Sequence, residues 1–165
     1  MIRPIFTYPK DKDILTVPSV EVTEFNDEIK QTIEDLIDTV KANNGAGISA
    51  IQIGKPYRIC VINWGGITVL VNPVITRSRG VHTMKEGCLS VPGLYVSTPR
   101  YQKVWVSALN ENGEEIEYAE GGNGSYIVQH ELDHFEGRCT LFDAYDRFVK
   151  ESVENDTSDK DNNQQ

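Results

Sequence analysis

The sequence predicts an α+β fold in which mixed or antiparallel short sheets pack around a central helix that carries an HExxH motif, with an amphipathic helix near the N-terminus. Three observations support this class. An apolar stripe with helical spacing occurs early, several short runs of β-type residues follow, and helical spacing returns late in the chain. Because the strand-like runs follow one another without intervening helices, repeating βαβ units are not expected.

The clearest helix is "FNDEIKQTIEDLIDTVKANNG", residues 25–45. Asn26 is expected to cap its N-terminus, and Asn44 and Gly45 are typical of a helix end. Its apolar residues recur with helical spacing and form one face: Ile29, Ile33, Leu36, Ile37 and Val40.

Strands are predicted next, and a second helix follows them. The strand-like runs are "YRICVIN" (57–63), "ITVLVNP" (67–73) and "KVWVSALN" (103–110). In "ENGEEIEYAE", Asn112 and Gly113 indicate a hairpin turn that leads into a returning strand. Residues 125–137, "SYIVQHELDHFEG", have helical spacing and end at a glycine.

Length and charge limit the possible organisation. The 165 residues fit one domain, predicted over residues 1–149, and the net charge of −9 argues against nucleic acid or an anionic membrane as partner. Residues 151–165 contain five acidic residues and one lysine, so we expect residues 150–165 to be a disordered acidic tail. No apolar run is long enough to span a bilayer and no secretory segment is evident, which predicts a cytoplasmic protein.

The stretch "QHELDH", residues 129–134, indicates a metal site. His130 and His134 lie four residues apart, which on a helix places their Cβ atoms about 5–6 Å apart and lets both imidazoles reach one cation. Glu131 is then close enough to contact a metal-bound water. An exposed or internally satisfied helix face is the alternative, and a catalytic site would need a third protein ligand.

Several residues are candidates for that third ligand. Downstream, Cys139, Asp143 and Asp146 are weak candidates, and none stands where a zincin protease has its third ligand. Upstream, Cys88 lies between turn-forming residues, although, taken alone, a buried structural thiol is the better explanation of this cysteine.

A glycine-rich stretch, residues 45–50, has the pattern G-x-G-x-x-A of dinucleotide-binding proteins. It follows a helix instead of a strand, and no acidic residue occurs between Asp38 and Glu86, so a nucleotide site is not expected. The remaining interpretations are a helix-ending turn, or a turn at which a substrate backbone approaches Gly47 closely.

Three motifs together resemble the signatures of peptide deformylases: "GAGISAIQ" (45–52), "EGCLS" (86–90) and "QHELDH" (129–134). The resemblance covers residues 2–147 and includes Tyr8 and Pro9. It implies removal of the N-formyl group from the initiator methionine of new polypeptides. N-formyl-methionyl peptides and nascent chains would therefore be the partners.

The resemblance also implies roles for individual residues. Cys88, His130 and His134 would hold one divalent metal ion, Fe(II) in vivo, with zinc, nickel or cobalt able to occupy the same ligands. Glu131 would be the general base and then the acid. The side chain of Gln52 and the backbone N–H of Leu89 would bind the developing oxyanion.

By the same resemblance, substrate would lie extended along the backbone near Gly47 and Gly87. Its methionine side chain would enter a pocket lined by Ala46, Met84, Tyr126, Ile127 and His130. Core packing is the alternative for Met84, Tyr126 and Ile127.

The chain departs from the family pattern at several positions. Tyr95 stands where many bacterial members have an arginine that grips the substrate backbone, which predicts weaker or altered peptide binding. Ser49 replaces the usual alanine and Phe135 the usual leucine. The acidic C-terminus differs from the basic helix of ribosome-docking members, so weak or no ribosome docking is expected, and the protein is predicted to be a monomer. The competing functions are a zincin-like endopeptidase and a non-catalytic metal-binding protein.

Overall fold

The computed structural model describes the backbone of residues 1–161 and the side chains of residues 1–156. Within this part of the chain, four helices accompany one five-stranded antiparallel sheet with the strand order β1-β2-β3-β4-β5, which confirms the α+β class. The elements are α1 (Lys12–Leu15), α2 (Asp27–Ala42), β1 (Gly47–Ser49), one 3₁₀ turn (Ala50–Ile53), β2 (Ile59–Asn63), β3 (Ile67–Cys88), β4 (Val91–Leu109), β5 (Glu115–Gly121), α3 (Gly122–His134) and α4 (Thr140–Asp161).

Helix α2 begins and ends through local signals. The Asn26 side chain accepts a hydrogen bond from the backbone N–H of Ile29 at 3.0 Å, which satisfies one of the free donors of the first turn. At the other end, Asn44 adopts a positive φ of 50° and stops the helix before β1. The apolar face packs with residues of β1, β2 and β3 in one cluster of the core.

Strands β3 and β4 form a long hairpin of 22 and 19 residues, so the prediction of short strands was wrong here. The predicted runs 67–73 and 103–110 are the parts of β3 and β4 that pack on the core. Much of the rest of the hairpin is exposed, and it lacks the regular apolar alternation that identifies a half-buried strand. Its backbone groups are paired between the two strands, for example Met84 with Thr98. The hairpin closes at the pair Cys88 and Val91, so Cys88 ends β3.

Helix α3 packs against the sheet through Ile127 and Val128, which belong to the core cluster that contains Ile62 and Leu70. The chain leaves this helix through Gly137, which has a φ of 68°. A Cβ atom at that position would collide with the backbone carbonyl oxygen of Thr16. Only glycine fits this contact, which sets the path of the connection into α4.

Helix α4 is attached to the N-terminal segment. The rings of Tyr8 and Phe142 stack with their centroids 4.4 Å apart, and the Tyr8 hydroxyl lies 2.8 Å from the Asp146 carboxylate. The helix continues past the predicted boundary at residue 149 to Asp161, whereas the sequence favoured disorder there. Extending a helix that is already packed costs less than nucleating one, which accounts for the difference. Residues 162–165 lie outside the described part of the chain. Within that part, no helix is both long and apolar enough to cross a membrane.

Candidate metal centre and active site

Three predicted ligands meet at one point. His130 and His134 project from the last turns of α3, and their ring centroids lie 5.1 Å apart. Cys88 arrives from the end of β3, and its Sγ lies 3.5 Å from Nε2 of His134. The tight closure of the β3–β4 hairpin therefore brings a thiol from a distant part of the sequence to the two imidazoles.

A fourth donor lies in the same cluster. Cys139 is buried in the connection between α3 and α4, and its Sγ lies 4.0 Å from Nε2 of His130. The four ligand atoms of Cys88, His130, His134 and Cys139 all lie within 4.8 Å of one another. Of the three weak candidates downstream, the structure brings only Cys139 to the histidines: Asp146 binds Tyr8, and Asp143 is not part of the cluster.

A network of charged residues contacts His130 on the side of the ring away from the thiols. Its Nδ1 lies 3.2 Å from the Glu86 carboxylate, which in turn pairs with Arg100 at 2.7 Å. Arg100 also contacts Asp133 at 2.8 Å. Although burial opposes the charged form, hydrogen bonds with His130 and Arg100 lower the pKa of Glu86 to about 2. No sequence pattern indicated a role for Glu86, Arg100 or Asp133, although Glu86 and Asp133 lie inside the motifs.

The imidazoles are oriented as metal ligands require. Because Nδ1 of His130 faces Glu86, its Nε2 is directed to the thiols, as in carboxylate–histidine–metal arrangements. Burial lowers the pKa of His134, which favours a neutral ring with a free lone pair. Within the described residues its buried Nδ1 has no hydrogen-bond partner, so Nε2 is the atom aimed at the cluster.

The contact between the two thiols shifts their pKa values in opposite directions. Hydrogen bonding from the Cys88 thiol, together with His130, lowers the pKa of Cys139 to about 5. The same contact between the thiols, added to burial, raises the pKa of Cys88. A thiolate and two imidazoles form a donor set that suits iron, zinc, nickel or cobalt in the divalent state, so the residues present fit a single metal ion.

Glu131 lies beside this cluster and is itself buried. The Ser49 hydroxyl donates to its Oε2 at 2.7 Å, while Oε1 faces Gly47, where a Cβ atom would come within 2.8 Å. Burial is the main reason that the pKa of Glu131 is raised to about 7. A carboxyl group with such a pKa can both accept and return a proton near neutral pH. Ser49, noted in the sequence only as a departure, therefore orients the carboxyl group.

Gln52 is held with its amide nitrogen toward the thiol. Its Oε1 accepts a hydrogen bond from the backbone N–H of Ser49 at 2.9 Å, which fixes the amide orientation. Its Nε2 lies 3.0 Å from the Ser90 hydroxyl oxygen and 3.6 Å from Cys88 Sγ. The side chain thus presents a donor group next to the candidate metal ligands.

A cavity of about 500 Å³ opens onto this site and reaches Cys88, His130 and Glu131. Gln52 and Leu89 also line it. Most residues predicted to bind substrate lie on its walls: Ala46, Gly47, Gly87, Tyr95, Tyr126 and Ile127. Met84 is not among the lining residues; it lies farther from the end of β3, paired with Thr98.

Comparison with known proteins shows the family to which this fold belongs. The family model described as polypeptide deformylase matches residues 2–151. The chain belongs to the polypeptide deformylase family. Among curated deformylases, that of Aquifex aeolicus is 42% identical over 144 residues, covering 83% of this chain and 84% of its own.

Solved deformylase structures are similar over nearly the whole fold. The crystal structure of a peptide deformylase from Legionella pneumophila aligns with a TM-score of 0.81 at 32% identity, covering 96% of this chain and 98% of the other. The deformylase from Ehrlichia chaffeensis in complex with actinonin aligns with a TM-score of 0.80 at 32% identity, over 85% and 87% of the two chains.

Proposed function

We propose that this protein is a metal-dependent hydrolase that removes the N-formyl group from the terminal formyl-methionine of newly made polypeptides and releases formate. The observation that carries the proposal is the meeting of Cys88 with His130 and His134 beside a buried carboxyl group, at the end of a cavity. Membership of the deformylase family supports the same reaction.

Cys88, His130 and His134 would hold the single metal ion. Fe(II) is our proposal for the ion in vivo, on the basis of the family resemblance, and zinc, nickel or cobalt fit the same donors. When bound, the metal supplies Lewis acidity and brings the pKa of a water molecule toward neutrality. Helix α3 is the central support, because it carries both imidazoles and packs on the sheet.

Glu131 would move the proton. Its pKa of about 7 lets it take a proton from the attacking water and then deliver that proton to the departing amine. Ser49 holds one carboxyl oxygen at 2.7 Å, so the other is free to face the reacting atoms. Glu131 can pack against Gly47 because that residue has no side chain; a Cβ atom there would lie 2.8 Å from Oε1.

Gln52 and the backbone N–H of Leu89 would bind the oxygen of the formyl group as negative charge develops on it. The amide of Gln52 is already turned toward the site by Ser49 and Ser90. A donor fixed in advance stabilises the transition state without reorganising during the reaction.

The cavity would bind the methionine end of the substrate. Ala46, Tyr126 and Ile127 form apolar wall positions, while Gly47 and Gly87 provide backbone for an extended peptide. Tyr95, which is 64% exposed, stands at the rim in the position where many relatives use arginine. We therefore expect peptide affinity to be tuned by this residue.

The wider setting is also inferred. We propose that residues 1–149 form the catalytic unit and that residues 150–165 take no part in hydrolysis. We also propose that the protein is a monomer. It would act in the cytoplasm, where nascent chains are made. Nucleic acid and membranes are not proposed as partners, since the chain has a net charge of −9.

The test is turnover of formyl-Met-Ala-Ser by protein loaded anaerobically with Fe(II), scored for formate and for internal peptide cleavage. Formate without cleavage is expected. Internal cleavage would favour the zincin-like endopeptidase instead. A protein that binds the metal yet releases neither product would favour a non-catalytic metal-binding role and overturn the proposal.

A further inference from the structure

Cys139 has no assigned role in the proposed reaction, yet its sulfur lies among the metal donors. It is 4% exposed and lies 4.0 Å from Nε2 of His130. The cavity reaches Cys88 and His130 but is not lined by Cys139, so this thiol approaches the site from the protein interior. Cys139 also belongs to a buried apolar cluster with Leu141 and Phe142, where a free cysteine can serve as a small apolar residue. Its position among the metal donors is therefore the observation that points to a further role.

The distances in the cluster fit a four-ligand site. Around a tetrahedral zinc ion with Zn–S about 2.3 Å and Zn–N about 2.0–2.1 Å, two sulfurs lie about 3.8 Å apart and a sulfur and a nitrogen about 3.6 Å apart. The two measured sulfur–nitrogen distances are 3.5 and 4.0 Å, and no pair of the four atoms exceeds 4.8 Å. Shifts of a few tenths of an ångström to about 1 Å would bring all four atoms onto one ion.

We propose that Cys139 is a fourth protein ligand of the metal, which completes a Cys₂His₂ set and holds the resting site closed. Sites with four protein ligands are typical of structural metals, whereas catalytic sites keep one position for water. Hydrolysis would therefore require Cys139 to leave the metal. This inference rests on the proposed function for the hydrolytic step but not for the ligand set.

The location of Cys139 allows such a departure. Cys88 is held at the end of a hydrogen-bonded hairpin, and both histidines are part of α3. Cys139 instead lies in the connection between α3 and α4, just before Thr140 begins the second helix. Its side chain could therefore turn away from the metal without displacing a helix or strand, although it is buried with Leu141 and Phe142.

The ligand set is tested first on the unaltered protein. X-ray absorption of the zinc-loaded full chain is expected to show two sulfurs at about 2.3 Å and two nitrogens. One sulfur with three nitrogen or oxygen neighbours would overturn the proposal. This measurement does not depend on activity or on any variant folding correctly.

Variants then test the consequence. Two variants remove the thiol: Cys139→Ala, and Cys139→Leu, which restores apolar volume. In the cobalt-loaded protein, each should lose about half of the thiolate-to-cobalt absorption, because one of two thiolates is gone. Metal affinity measured by chelator competition should fall at least about tenfold. Cys60→Ala, which removes a buried thiol outside the cluster, is the matched control and should keep both values.

Formate release separates the two proposals. If Cys139 closes the site, the Cys139 variants should release formate faster than the parent at saturating metal. Equal absorption and equal affinity in parent and variants would remove Cys139 from the ligand set. Halved absorption with unchanged or slower formate release would overturn the closed resting site. Absence of formate from parent and variants alike would instead count against the deformylase function.

Discussion

Both the position and the pKa of Glu131 suit the proton-transfer role proposed for it. It is buried close to His130, it accepts a hydrogen bond from Ser49 at 2.7 Å, and burial raises its pKa to about 7. Since it does not belong to the metal-ligand cluster, its removal should separate proton transfer from metal binding.

Glu131→Ala is expected to keep the metal and to lose about 10²- to 10⁴-fold in kcat, because general acid–base catalysis is removed. Metal content and formate release measured on the same sample check this. Glu136→Ala is the matched control, since Glu136 lies beyond the end of the same helix in an exposed pair with Arg58. A Glu131 variant that turned over near the parent rate would exclude the proposed role.

Gln52 offers a second prediction at this scale. Gln52→Ala removes a preorganised donor, and such a loss typically costs about 2.7–4 kcal/mol, or about 10²- to 10³-fold in kcat. Because the donor acts mainly on the transition state, KM should change little. Steady-state kinetics separates the two parameters, and a change confined to KM would show that Gln52 binds the ground state instead.

The elements around the site are joined by one buried charge network. Glu86 on β3 pairs with Arg100 on β4, and Arg100 pairs with Asp133 on α3. Removing one partner of a buried ion pair leaves the other charge without compensation. The network therefore links the hairpin that supplies Cys88 to the helix that supplies the histidines.

This network predicts a specific pH dependence. The pKa of Glu86 is lowered to about 2 from an ordinary 4.5, so the unfolded chain binds a proton there before the folded protein does. The contribution of Glu86 is therefore present above about pH 4.5 and lost as the pH falls toward about 2. Glu86→Gln should lower the free energy of unfolding by about 3–5 kcal/mol at neutral pH.

The same substitution should make the free energy of unfolding less dependent on pH below about pH 5. Urea unfolding of chelator-treated protein, measured between about pH 5 and pH 2, should show a smaller loss of stability in Glu86→Gln than in the parent. Glu136→Gln, in an exposed pair, is the control and should cost only about 0–1 kcal/mol. If Glu86→Gln lost as much stability as the parent between about pH 5 and pH 2, the proposed contribution of Glu86 would be contradicted.

The sequence predicted some elements well because their signals are local. The cap at Asn26, the apolar face of α2 and the turn at Asn112 depend on neighbours within a few residues, and all are found in the structure. The exposed arm of the β3–β4 hairpin was missed because its strands pair with each other and bury little apolar surface. Helix α4 was missed because its apolar residues contact distant partners such as Tyr8.

The candidate site could be predicted only in part. The spacing of His130 and His134 indicated a metal, whereas residue chemistry alone left Cys88 open among other thiols and carboxylates. The resemblance selected Cys88, and the structure brings it within 3.5 Å of His134. Cys139 stayed a weak candidate because no familiar spacing relates it to the helix, and only the path between α3 and α4 brings it to the cluster.

For the whole molecule, charge governs the expected partners. The net charge is −9, and residues 151–165 contain five acidic residues and one lysine. Ribosomal RNA repels such a surface at low salt. The acidic C-terminal segment therefore predicts weak or no docking on ribosomes.

Cosedimentation with ribosomes at low and high salt checks this expectation, with a chain shortened after residue 149 as the comparison. Both forms should stay in the supernatant, and both should hydrolyse formyl-Met-Ala-Ser at similar rates. Tight, salt-sensitive pelleting of the full chain that the shortened chain lacks would show that residues 150–165 bind the ribosome.

Gly137 controls more than the end of a helix. Its backbone passes so close to Thr16 that any side chain would push the two segments apart, and Cys139 follows two residues later. A methyl group added there would collide with Thr16 and so disturb the connection that carries Cys139, without changing the identity of any proposed ligand. If Cys139 binds the metal as proposed, a substitution at Gly137 would change the affinity for the ion without altering any ligand.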